Sequence, residues 1–215
     1  MDGTLLQARS CWNHIHQHFG IDNQEMLKMY MEHKISDQEF AESDIQLWEQ
    51  SSDVHINEAY INSILDEIEP IDGAEDLIRS LHQKGIQTVI LSGGIKYLAI
   101  KWAEKWNMKE VIANQLIDDE NGNLKVVIES SGHAKGPIMD ALLERLNVSK
   151  EEVAAVGDTV VDIPLFERAG LAIAVNTDDQ RVIDEVDYHL KEKNLERLIS
   201  VSYTHLRAHE TDSYL

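Results

Sequence analysis

The sequence predicts an α/β fold built on a parallel sheet, with a block of helices inserted near its N-terminus. Three observations predict it. Between about Ser10 and Ile68 the apolar residues recur at helical spacing and no strand signal intervenes. After Pro70, short apolar runs alternate with helical stretches, which is the rhythm of strands joined by crossover helices. Two of these runs, Val153–Val156 and Leu171–Val175, are apolar throughout, as strands buried on both faces are.

Met1-Asp2-Gly3-Thr4, followed by Leu5-Leu6, reads as the end of a strand-loop motif whose strand is missing. Cys11, Trp12, Ile15 and Phe19 then form one helical stripe, closed by Gly20. Met26, Leu27, Tyr30 and Met31 form a second. Phe40, Ile45, Leu47 and Trp48 mark a third, opened by Ser36-Asp37, and Ile61, Ile64, Leu65 and Ile68 a fourth, halted by Pro70.

Beyond Pro70, Ala74, Leu77, Ile78 and Leu81 give a helix ended by Gly85, and Ile86–Leu91 a strand. Ser92-Gly93-Gly94 follows, then a helix with Ile95, Leu98, Ala99 and Trp102 on one face. Val111–Ile117 and Leu124–Ile128 read as two strands turning at Asn121-Gly122, a strong hairpin signal. A helix from Lys135 to Leu146 leads to the strand at Val153, and a short helix over Pro164–Ala169 precedes the strand at Leu171. Gln180–Glu185, Tyr188–Leu190 and Leu195–Ile199 add shorter elements. The expected organisation is a discontinuous core of residues 1–9 and 70–200, a helical domain of residues 10–69, and a tail of residues 201–215. From Ser202 onward that tail has neither periodicity and reads as foreign to the fold.

Composition narrows the function. Against 19 Lys and Arg stand 39 Asp and Glu, for a formal charge of −20 in 215 residues. So acidic a surface argues against nucleic acid and anionic membranes as partners, and any anionic substrate needs a locally positive pocket. No apolar run approaches the ~20 residues that span a bilayer, and no secretory signal opens the chain. Cys11 is the single cysteine, which excludes an internal disulfide and makes a reducing cytoplasm the default expectation.

Chemistry gathers at the expected strand ends, where ligands sit in open α/β sheets. Gly157-Asp158 ends one strand, with Asp162 four residues on. Two acids so placed suit a hard cation such as Mg²⁺, although Asp158 alone equally suits a helix cap. Ser92 precedes two glycines and a helix, and such a hydroxyl with unencumbered N–H groups can cradle a phosphate. Lys135 opens a helix within Gly132-His133-Ala134-Lys135-Gly136. His14, His16 and His18 invite a metal reading, but a helix surface accounts for them better.

In this order Asp2-Gly3-Thr4, Ser92, Lys135 and Gly157-Asp158…Asp162 resemble the motifs of the haloacid dehalogenase-type (HAD) phosphohydrolases. The closest branch looks like the phosphoserine phosphatases, on Ile71–Glu75, Leu91–Gly94, Ala113–Ile117 and Phe166–Leu171. The resemblance implies a Rossmann-like core with a helical cap inserted between the first and second motifs. It implies an aspartyl-phosphate mechanism, with Asp2 as the general acid and base. It places Mg²⁺ at the main-chain carbonyl of Asp2 and at Asp158, with Asp162 beside them to orient a metal water or Lys135. Ser92, Gly93 and Lys135 would hold the phosphoryl oxygens of a small phosphomonoester.

Two departures stand out. The family motif reads Asp-x-Asp-Gly-Thr and this chain starts at its second position, so the nucleophile falls before Met1 and the chain as written is expected to be inactive and poorly stable. In phosphoserine phosphatases a glutamate binds the substrate amine and a cap arginine its carboxylate; here Arg9 and Asp44 stand in those places, both with reversed charge. Val161 also replaces the asparagine frequent in that branch. A different small phosphomonoester is therefore one rival reading. A non-catalytic phosphate-ligand sensor that lacks the nucleophile is the other.

Overall fold

The computed structural model describes residues 1–130, 134–192 and 194–201. Gly132 and His133 of the Lys135 segment, and the tail from Ser202, lie outside the described residues.

Four helices come first. α1 (Cys11–Phe19) begins where the Ser10 hydroxyl accepts from the Asn13 N–H and stops at Gly20, whose φ of 65° is left-handed. α2 spans Gln24–Met31. α3 (Asp37–Ser51) is opened by a reciprocal capping box between Ser36 and Glu39. α4 (Glu58–Leu65) is capped by Asn57, which accepts from the Tyr60 N–H. Helix α1 packs on both α3 and α4, and α2 on α3. Ile15, Trp48, Ile61 and Leu65 are fully buried there, in a cluster that continues without a break into Ile95, Leu98 and Ile173 further along the chain.

The remainder alternates as expected: α5 (Ala74–Gln83), β1 (Val89–Ile95), α6 (Lys96–Lys105), β2 (Glu110–Asp118), β3 (Leu124–Val127), α7 (Lys135–Leu146), β4 (Ala154–Gly157), α8 (Ile163–Phe166), β5 (Leu171–Val175), α9 (Gln180–Ile183) and β6 (Tyr188–Leu190). The hairpin between β2 and β3 turns at Gly122, with φ of 81°. One boundary moves. The strand expected over Ile86–Leu91 starts at Val89, where β2 first offers a partner, and runs on through Ser92-Gly93-Gly94 to Ile95. Its register with β2 breaks between Leu91 and Ile95, so the glycines are the irregular part of a strand rather than a turn after it.

The strands form two separate ladders, β1-β2-β3 and β4-β5-β6. Pairing is parallel except between β2 and β3. β1 and β4 are each an edge strand. Side chains join the ladders instead: Val89 and Leu91 pack in one cluster with Ala155 and Ala172, buried between them and α7. Residues 1–6 form a tight turn in which the Met1 carbonyl accepts from the N–H groups of Thr4, Leu5 and Leu6. Leu6 is fully buried and bridges to Pro70. This turn touches the ends of both edge strands, since a Cβ on Gly94 would meet Asp2 and one on Gly3 would meet Asp158.

Candidate active site

The C-terminal ends of β1 and β4, the first turn and the start of α7 converge on one cavity of about 420 Å³. Asp2, Ser92, Gly93, Lys135, Asp158 and Asp162 all line it, and so do Arg9 and Asp44. The residues given a site role from the resemblance are thus brought to one place, from stretches as far apart as positions 2 and 162.

Ser92 is buried and accepts from the Gly94 N–H at 3.1 Å. The next carbonyl, that of Gly93, is held from two sides: by Trp12 Nε1 at 3.1 Å and by Asn114 Nδ2 at 2.9 Å. Asn114 also accepts, through Oδ1, from the N–H groups of Glu129 and Ser130. It therefore clasps β1 to the segment beyond β3. Its polar side chain inside a strand was the available signal, and sequence reasoning assigned it no role.

The two aspartates after β4 differ sharply. Lys135 Nζ, itself buried, donates to Asp162 Oδ1 at 2.6 Å. Asp162 Oδ2 accepts from the N–H groups of Asp158 and Thr159. Burial pushes the Asp162 carboxyl up, but the Lys135 charge and hydrogen bond, the α-ammonium of Met1 and the Thr159 N–H outweigh it, so it lies below the usual range. Asp158 is raised to about 6, first by burial and then by the charge of Asp162, against the opposing pull of the Met1 ammonium, the Thr4 hydroxyl and Lys135. Thr4 Oγ1 donates to Asp158 Oδ1 at 3.1 Å. Asp2 sits at the start of α1, where Oδ2 accepts from the Cys11 N–H at 2.7 Å.

Two oxygens remain. Asp158 Oδ2 and Asp2 Oδ1 are buried without a hydrogen-bond partner among the described residues. Among those residues no three His, Cys, Asp or Glu side chains converge as a ready-made metal cage. A carboxylate with an orphaned oxygen, on a cavity with room for water or phosphate, is nonetheless a donor that suits Mg²⁺, which seldom takes an all-protein cage. Asp158 and Asp2 both meet that description. Asp162 is different: both of its oxygens are occupied, which points it to Lys135 rather than to a cation.

The helical wall holds what the sequence did not disclose. His16, expected on a helix surface, is 6% exposed. Its Nε2 lies 3.1 Å from Asp44 Oδ1, and its Nδ1 accepts from Trp48 Nε1 at 2.8 Å. His14 and His18 contact Glu67 and Tyr60 instead, so the three histidines do not converge. Arg9 is exposed at the mouth of the cavity, and Asp44, 2% exposed, lines its interior.

Gly3 ties the first turn to this site. Its φ of 64° is left-handed, and an added Cβ would overlap Asp158 Oδ2. Its carbonyl accepts from Asn176 Nδ2 at 3.1 Å. Gly3→Ala is expected to destabilise the fold by about 1–3 kcal/mol through backbone strain and to push Asp158 from its place. Urea denaturation checks the first effect, and loss of Mg²⁺ binding checks the second.

A family model described as haloacid dehalogenase-like hydrolase matches residues 1–170. A phosphoserine phosphatase of Archaeoglobus fulgidus is 33% identical over 150 residues, 66% of this chain and 41% of the relative. One of Methanocaldococcus jannaschii is 32% identical over 117 residues, 53% of this chain and 55% of the relative. The chain thus spans about half the length of the curated relatives it matches. A solved structure of a substrate-bound phosphoserine phosphatase complex superimposes with a TM-score of 0.77 at 25% identity, covering 94% of each chain.

Proposed function

Since this chain belongs to the haloacid dehalogenase-like hydrolases, we propose that it hydrolyses a small phosphomonoester by phosphoryl transfer to an aspartate. The convergence of Asp2, Ser92, Lys135 and Asp158 on one cavity carries the reading. The similarity to phosphoserine phosphatases supports it.

In this reading residues 10–69 are the cap over a core of residues 1–9 and 70–200, and the attacking aspartate occupies the position directly before Met1. The phosphoryl oxygens lie among the Ser92 hydroxyl, the Gly93 N–H and the Lys135 ammonium, whose charge grows in value as charge spreads over those oxygens. Asp2 protonates the leaving alkoxide and then takes a proton from the water that attacks the phosphoenzyme. Asp162 keeps Lys135 aimed at the cradle through its 2.6 Å bond. Asp158 and the main-chain carbonyl of Asp2 would hold Mg²⁺, which would supply electrostatic stabilisation of the transferring group.

A non-catalytic phosphate sensor would share the cradle and differ at the attacking aspartate. The two part company in a single experiment. Residues 1–215 are assayed against a panel of phosphomonoesters with and without Mg²⁺, beside the same chain carrying an apolar strand and an aspartate before Met1. Mg²⁺-dependent phosphate release by the extended chain alone is the expected result. A folded extended chain that releases phosphate from no member of the panel sinks the phosphatase reading.

A further inference from the structure

We propose that the alcohol half of the substrate carries an ammonium group and no carboxylate, so that the substrate class is an aminoalkyl phosphomonoester. This rests on the phosphatase reading and specifies its leaving group.

The argument begins with a buried charge. Asp44 lines the cavity at 2% exposure. Its Oδ1 accepts from Asn23 Nδ2 at 2.6 Å and faces His16 Nε2 at 3.1 Å. Asp44 Oδ2 has no hydrogen bond among the described residues. At first sight His16 makes an ion pair with Asp44, but Trp48 forbids it. The indole N–H can only donate, and it donates to His16 Nδ1 at 2.8 Å. That nitrogen therefore carries no proton, the ring proton sits on Nε2, and the imidazole meets Asp44 as a neutral donor. A doubly protonated ring would set one N–H against another. Asn23 is neutral as well. Neither neighbour therefore brings a positive charge to Asp44, in a place where an unpaired charge is costly.

No described cation of the protein pairs with it. Lys135 is engaged by Asp162, and the charge of the Met1 ammonium acts on Asp158 and Asp162. Arg9 stands exposed at the mouth, where water screens it, and forms no ion pair among the described residues. Two more acids, Asp22 and Asp37, line the same wall. The compensating charge has to come from the ligand.

The surroundings of Asp44 suit an ammonium group in a second way. Tyr30 and Phe40 stack at 5.0 Å between centroids, and Trp12 stacks on Trp48 at 5.6 Å. Tyr30, Phe40 and Trp12 all line the cavity. Aromatic faces attract cations, and aromatic walls beside a carboxylate are a recurrent way of holding an ammonium. A carboxylate on the same carbon skeleton would instead meet Asp44, Asp22 and Asp37. The cavity therefore has a hydrogen-bonding end at Ser92 and Lys135 that suits a phosphate, and an acidic, aromatic wall on α1, α2 and α3 that suits an amine.

Calorimetric titration of residues 1–215 with Mg²⁺ present tests this without any turnover. The probes are inorganic phosphate, 2-aminoethyl phosphate, 2-hydroxyethyl phosphate and phosphoserine. Expected is that 2-aminoethyl phosphate binds about tenfold or more tightly than its neutral hydroxyl analogue and than phosphoserine. Asp44→Asn, which keeps an acceptor for His16 and Asn23, is expected to bring the aminoethyl-to-hydroxyethyl ratio close to one. If Asp44→Asn loses its cooperative melt, Phe40→Leu carries the test through a fall in the same ratio. Binding of phosphate with no preference for the amine, a tighter fit for phosphoserine, or a preference that survives Asp44→Asn overturns the inference and leaves the phosphatase reading intact. Failure of inorganic phosphate and every ester to bind overturns both.

Discussion

Replacing Lys135 with methionine is expected to destabilise the protein by about 3–5 kcal/mol and to abolish phosphate binding. Methionine fills nearly the same space, so the loss is one of charge. Asp162 is 7% exposed and would be left with backbone donors on Oδ2 and nothing on Oδ1. Breaking a buried pair from one side is costly because the surviving charge has no water to return to. The double variant Lys135→Met/Asp162→Asn, which removes the stranded charge, should recover more than half of the stability and none of the phosphate binding. Urea midpoints of the two variants separate these effects. A single-variant loss below about 1 kcal/mol would mean that the backbone N–H groups alone satisfy Asp162.

The second large effect concerns pH and Mg²⁺ together. Asp158 is raised to about 6, well above the ordinary range of an aspartate carboxyl. Its protonated form is thus favoured by folding. Stability from this group is fully present below about pH 4, declines as pH rises through 6, and stays lower above that, by about 3 kcal/mol in all. A divalent cation on the orphaned Oδ2 offsets that penalty, because it favours the ionised form that burial and Asp162 oppose. Saturating Mg²⁺ is therefore expected to raise the melting temperature at pH 7.5 and to do little at pH 5, where a proton competes for the same carboxylate. Asp158→Asn should remove both the pH dependence in this window and the response to Mg²⁺. A Mg²⁺ shift of equal size at pH 5 and pH 7.5 would show that the cation binds elsewhere.

Much of this architecture could be read from the chain because its signals are local. α7 and β5 have the bounds that their apolar patterns predict, and Asn121-Gly122 turns the hairpin as its backbone preference demands. The site residues were legible for a similar reason: Lys135 stands at a helix start, Asp158 directly after a strand, and Ser92 beside two glycines that interrupt an apolar run. What escaped depends on partners distant in sequence. His16 lies on a helix whose apolar stripe includes Ile15 and Phe19, and nothing nearby foretells that Asp44 and Trp48, 28 and 32 residues away, enclose it. Asn114 reads as a break in the apolar pattern of β2 until Gly93, Glu129 and Ser130 are seen around it. The extension of β1 through two glycines was hidden because register is set by the neighbouring strand and not by the residues themselves.

The two hydrogen bonds on the Gly93 carbonyl have a mechanical meaning. Asn114 pulls on it from within the ladder, whereas Trp12 reaches it from α1. Lifting α1 away from β1 breaks the second bond and unstacks Trp12 from Trp48 in the same movement. The orientation of the peptide beside Ser92 is thereby made contingent on the helices being seated. Indole emission from that tryptophan pair becomes an intrinsic gauge of whether the chamber is shut.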